Sequence, residues 1–251
     1  MLSRTTIVTA HFNEDLSWLT SKRKAFERLV VCSKTTAVDV APTDFDEVHV
    51  IGNMGFEASA YIHYIVANYH RLPERIAFIH GHEQAWHQKH PRGMLCAIDE
   101  AKTDEFGFVS LNVKPHPDET NYVLDAPHEH IAGRHELIRA LWPGYFEEHL
   151  GPRPAEIHHD SCAQFVVTKA AVLRNPYAAY KRWYDLATSP RIPNNKNVAI
   201  AFELLWHVIF GEPAVCEERG QAYLERRFRT PDPDSPVDDG KKGRPSTKLI
   251  L

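Results

Sequence analysis

Short apolar runs alternating with stretches of helical period set the pattern of this chain. Thr5–Ala10, Leu29–Ser33, Glu47–Ile51, Ile76–Ile79, Phe106–Val113 and Cys162–Thr168 are brief, apolar and bounded by polar turns, as buried strands are. Between them, Ala58, Tyr61, Ile62, Ile65, Val66 and Tyr69 recur at helical spacing and predict a helix over Phe56–Tyr69, which Leu72-Pro73 terminates. A short helix carries Trp18 and Leu19, with Asp15 or Ser17 as its cap. Leu137–Leu141, Tyr145–Leu150, Lys169–Leu186 and Val198–Phe210 also read as helical, the last stopping at Gly211 with Pro213 beyond. Lys114–His135, dense in His, Pro, Asp and Glu, reads as a long loop or lid. This alternation predicts a single α/β domain over 1–229, with a mostly parallel central sheet flanked by helices. From Thr230 to the end at 251, Pro, Asp, Gly and Lys dominate, and a disordered tail is expected.

Composition narrows the function classes. The 251 residues, 43% hydrophobic and 25% charged, suit an ordinary globular core. A net charge of −4 with dispersed Lys and Arg leaves no footprint for nucleic acid. No apolar stretch approaches the roughly 20 residues of a transmembrane helix, and the first residues do not form a signal peptide. Cys32, Cys96, Cys162 and Cys216 are widely spaced with no C-x-x-C pair, as in a reduced protein. A soluble, cytoplasmic protein is expected. G-x-G-x-x-G and Walker sequences are missing, and Gly52-Asn-Met-Gly55 matches neither fingerprint.

The densest chemistry follows the Ile76–Ile79 run, where His80, His82, Glu83 and His87 come in quick succession. All four suit a divalent metal or an anionic ligand, and ligands in open α/β sheets sit beyond the carboxyl ends of strands. With 16 histidines in the chain, a histidine-rich turn without a ligand is the competing reading.

Five segments together resemble the DUF3431 family, whose sequences are similar to glycosyltransferases of the GT-A type. They are Val8-Thr-Ala-His-Phe-Asn-Glu-Asp-Leu-Ser-Trp-Leu19, Asn53-Met-Gly-Phe-Glu-Ala-Ser-Ala-Tyr61, Phe78-Ile-His-Gly-His-Glu-Gln-Ala-Trp-His87, Cys162-Ala-Gln-Phe-Val-Val-Thr168 and Phe202-Glu-Leu-Leu-Trp-His-Val-Ile-Phe-Gly211. They stand in the family's order over roughly residues 5–216. Where members often carry an arginine before the glutamate of the second motif, this chain has Phe56.

The resemblance implies a GT-A-like (Rossmann-like) domain that moves a sugar from a nucleotide diphosphate-sugar donor to an acceptor hydroxyl on a glycan or other molecule. Asn13, Glu14 and Asp15 are then candidates for the base or ribose, although Asp15 serves equally as a helix cap. Asn53 and Glu57 flank a helix start suited to phosphate, or Glu57 simply answers the helix dipole. His80, His82 and Glu83 fill the place of the metal-holding carboxylates, with His87 and His207 as further candidate ligands, and histidine favours Mn²⁺ over Mg²⁺. The histidines serve equally as cationic diphosphate binders without metal, or simply orient the strand end. Glu203, four residues before His207 and among apolar neighbours, is the candidate general base, with Asp160 competing for that role. Trp86, like Trp142 and Trp206, offers a sugar-stacking ring or is simply core. A metal-dependent hydrolase built on the histidines and Asp160, or a non-catalytic glycan-binding module, are the alternatives.

Overall fold

The computed structural model of the chain describes residues 2–35, 44–84, 90, 92–112, 121–122, 132–159, 162–192, 195–218 and 220–230. The strands are β1 (Thr6–His11), β2 (Arg28–Ser33), β3 (Glu47–Val50), β4 (Arg75–His80), β5 (Phe108–Ser110), β6 (Asn121–Tyr122), β7 (Ile157–His158) and β8 (Phe165–Thr168). Ten α-helical segments accompany them among the described residues. They are α1 (Ser17–Thr20), α2 (Phe56–Asn68), α3 (Met94–Glu100), α4 (Thr103–Phe106), α5 (Ala132–Leu141), α6 (Glu147–Leu150), α7 (Lys169–Val172), α8 (Tyr177–Ala187), α9 (Asn195–Ile209) and α10 (Gln221–Arg227).

Six strands form one sheet in the order β3-β2-β1-β4-β8-β5, and β6 pairs with β7 apart from it. β1 runs parallel to β2 and β4, and β2 parallel to β3. β8 enters antiparallel to both β4 and β5. The sheet is therefore mixed rather than mostly parallel. An apolar run such as Phe165-Val-Val-Thr168 buries the same side chains in either direction, so its pattern carries no sign of polarity.

Alternate residues of each strand enter two cores, one on each sheet face. Val8, Val30, Phe78 and Phe165 pack against Tyr61 and Ile65 of α2, Trp183 of α8 and Trp206 of α9. Ile7, Val31, Ile79 and Val166 pack against Leu19, Met94, Ile98 and Tyr223 on the other face. The central strands are thus covered on both sides by helices, which explains their continuous apolar character.

Several expected elements shift or divide. Residues 169–186 split into α7 and α8 at Pro176, which cannot donate a helical hydrogen bond. β5 is three residues long because Gly107, with φ +75°, ends α4 just before it. α5 continues through a π-helical turn, Trp142–Phe146, into α6. Most of 114–135 and nearly all of the expected tail lie outside the described residues. Among the described residues no helix is long and apolar enough to cross a membrane, and all four cysteines are free thiols.

Candidate functional site

From β1 the chain steps outward to β2 and β3, then returns to place β4 on the other flank of β1. The loops leaving β1 and β4 therefore diverge at a topological switch point, where open α/β sheets bind ligands. A pocket of about 560 Å³ opens at this end of the sheet. Its walls come from the ends of β1 and β2, the turn into α2, and Lys196 in the first turn of α9.

The β1 loop is built around Glu14. One carboxylate oxygen accepts from the backbone N–H of Phe12 at 2.6 Å and of Asn13 at 3.2 Å. The other lies 3.7 Å from His82 Nε2. Burial opposes the charge on Glu14, but the Phe12 hydrogen bond and nearby His82 and His11 outweigh it and hold the carboxyl below its ordinary value. Gly81 lets the two loops approach, since a Cβ there would stand 2.9 Å from Glu14 Cβ. Trp18 Nε1 donates to the Gly81 carbonyl at 2.8 Å and fastens α1 to the same crossing.

The second wall starts at Gly55, whose φ of +68° and close approach to the Ala187 carbonyl exclude a side chain. On either side of it, Asn53 and Glu57 line the pocket. Glu57 Oε1 lies 3.3 Å from His80 Nδ1. Burial, reinforced by neighbouring His82, pushes His80 down to about 4 despite Glu14, so it is neutral at pH 7. Lys34, directly after β2, donates from Nζ to the Met54 carbonyl at 2.7 Å and to Ser59 Oγ at 2.6 Å. Burial lowers its pKa to about 8, against the pull of Glu57. His11, which lines the pocket, makes a 3.0 Å Nδ1···Oγ contact with Ser33.

The structure thus gathers Glu14, Asn53 and Glu57 at the pocket, with His80 and His82 paired to two of them. Asp15 faces solvent and accepts from Ser17 N at 2.8 Å and Ser17 Oγ at 2.9 Å, which fixes the start of α1. Those bonds hold its carboxyl below the ordinary value. Asn13 and Glu83 are exposed on their loops. Trp86, His87 and Asp160 lie outside the described residues. Glu203, half-buried, shares the Lys196 face of α9, seven positions further along. His207 stands apart from the pocket. Its ring stacks on His159 at 4.3 Å, its Nε2 lies 3.2 Å from the Ala214 carbonyl, and burial holds its pKa well below the usual range. Trp142 and Trp206 are buried core rings.

Among the described residues no three His, Cys, Asp or Glu side chains converge as a metal site would require. Instead, the carboxylates are engaged one-to-one with histidines or with backbone N–H groups. The sequence reading passed over Lys34 and Lys196. Lys34 was open to the same rule that marked the histidines, because it too follows directly on the carboxyl end of a strand.

The model of the family described as protein of unknown function (DUF3431) matches residues 6–225, and the chain belongs to that family. No curated protein and no solved structure matches it.

Proposed function

We propose that this DUF3431 member is a glycosyltransferase that takes its sugar from a nucleotide diphosphate-sugar and delivers it to an acceptor hydroxyl. The observation that carries this reading is the pocket at the switch point. It is large enough for a nucleotide, opens beyond the carboxyl ends of the strands, and is walled by Lys34 and Lys196. A departing diphosphate needs positive charge or hydrogen-bond donors held in place before the reaction, and two lysine ammonium groups provide them. The start of α2 lines the same pocket through Gly55, Phe56 and Glu57.

In this reading Glu203 accepts the proton of the acceptor hydroxyl as its oxygen bonds to the anomeric carbon. The bond from that carbon to the diphosphate breaks, and the nucleoside diphosphate leaves with its electron pair. Lys34 and Lys196 stabilise the charge gathering on it. Glu14 holds the β1 loop in place by taking its backbone N–H groups. The described residues do not group as ligands for Mn²⁺ or Mg²⁺.

The test is release of nucleoside diphosphate from a panel of nucleotide diphosphate-sugars, run with Mn²⁺ and with EDTA. Turnover of one donor in the presence of a hydroxyl acceptor is expected. A panel in which no donor is turned over and none raises the melting temperature rejects the transferase.

A further inference from the structure

Two phenylalanines are out of place for a hydrophobic residue. Phe12 is 44% exposed and Phe56 is 48% exposed, and among the described residues no other phenylalanine is as open to solvent. Both line the switch-point pocket, one from the loop after β1 and the other from the first residue of α2. Scattered single exposed rings need no explanation, but two on one pocket form an apolar surface beside a ligand volume.

Phe56 is also held against its backbone preference. Its φ is +46°, in the left-handed region that bulky side chains avoid, directly after Gly55 at +68°. Glycine at 56 would remove that strain, whereas phenylalanine adds a ring without gaining burial. Residues kept in such conformations are characteristic of ligand sites.

The rest of the pocket fixes which ligand suits these rings. Lys34 and Lys196 are its cations, and Lys34 is anchored by Met54 and Ser59 beside the turn that carries Phe56. An anion alone has no use for aromatic surface, and an apolar ligand has none for two ammonium groups. A flat ring joined to phosphates uses both. We infer that Phe12 and Phe56 form an aromatic rim that stacks the base of a nucleoside diphosphate, with its phosphates toward Lys34 and Lys196. This inference rests on reading the pocket as the donor site. It moves base recognition from the polar Asn13–Asp15 turn to the two rings.

Titration calorimetry on the full chain tests it, using UDP, GDP and ADP as probes and inorganic pyrophosphate as the baseless control. At least one nucleoside diphosphate binds the native chain more tightly than pyrophosphate. Phe56→Gly and Phe12→Ala each weaken that nucleotide by about tenfold, the scale of one lost base–aromatic stack, and leave pyrophosphate unchanged. Phe56→Tyr restores binding. Phe56→Gly melts at or above the native temperature, which separates lost stacking from lost folding. Nucleotide affinity unchanged in both variants, or no nucleoside diphosphate outbinding pyrophosphate, overturns the inference. Loss of affinity for a nucleotide sugar but not for its nucleoside diphosphate also overturns it, because the rings then face the sugar. Ring-dependent nucleotide binding without any sugar transfer sinks the transferase reading alone. Transfer with ring-independent binding sinks only this inference.

Discussion

His80, half-buried, and His207, fully buried, both have a pKa that desolvation depresses, yet they sit in opposite surroundings. His80 ends a strand behind the pocket lining, 3.3 Å from a carboxylate of Glu57, which lines it, and with Glu14 in electrostatic reach. His207 lies deep in α9, stacked on His159 with a backbone carbonyl at its Nε2. Burial alone therefore does not mark a functional histidine. What distinguishes the two is the company they keep: carboxylates and a solvent-facing cavity for one, aromatic rings and core for the other.

The sharpest way to break the contrast is to remove the base assigned to the same helix as His207. Glu203→Gln is expected to lower transfer by about 10²–10⁴-fold while leaving nucleotide affinity nearly native, as read by product release and calorimetry. Equal loss of binding and transfer removes Glu203 from the role of base. His207→Ala is the converse case. It should cost about 2–4 kcal/mol of stability in a denaturant titration, because it opens a void in a packed core, with nucleotide affinity unchanged in the protein that still folds.

Lys34→Met follows in size. Losing one buried ammonium group from the pocket is expected to weaken both nucleoside diphosphate and pyrophosphate by about tenfold, unlike the two phenylalanine variants. An unchanged pyrophosphate isotherm removes Lys34 from the anion site.

A pH series sharpens the comparison further. The folded pKa of His80, about 4, lies below the ordinary value of 6.5, so the unfolded chain binds the proton more readily. Its contribution to stability is present above about pH 6.5 and is lost as pH falls toward 4. His90, also pushed to about 4, and His207 add to the same limb. His80→Gln should therefore flatten the acid limb of melting temperature against pH without abolishing it. An acid limb of native steepness would contradict the buried, neutral state of His80. Smallest of all, Asp15→Ala is expected to lower the melting temperature slightly through loss of its hydrogen bonds to Ser17 at the start of α1, with no change in nucleotide affinity. A loss of affinity instead would return Asp15 to the ligand site.

Much of the site was legible because strand ends are legible. The run Ile76–Ile79 announces a buried strand, and the polar residues after it then fall at a sheet edge whatever the exact fold. Glu14 after β1 and Glu57 at the start of α2 came instead from the family resemblance. It overreached where one motif mixes residues bound for different places. Asp15 adjoins Glu14 in sequence but turns outward to accept from Ser17 at the start of α1, and His207 sits one turn from Glu203 yet lies against His159. Phe12 escaped notice, and Phe56 stood out only as the replacement for an arginine, because an apolar side chain in a strand-end motif reads as core and only the folded surface shows it standing in solvent.

The sequence by itself determined the six strands of the main sheet, the helices α1, α2 and α5 to α9 in approximate bounds, and the concentration of polar groups after β1 and β4, but not α3, α4, α10 or the β6–β7 pair. The features it determined follow from local period and turn chemistry, which act over a few residues. Tertiary structure alone decided the direction of β8, the pairing of Glu14 with His82 and Glu57 with His80, and the arrival of Lys34, Lys196, Phe12 and Phe56 around one pocket. Those are contacts between segments far apart in the chain. Their partners are chosen by how the strands order in the sheet, which no local pattern encodes.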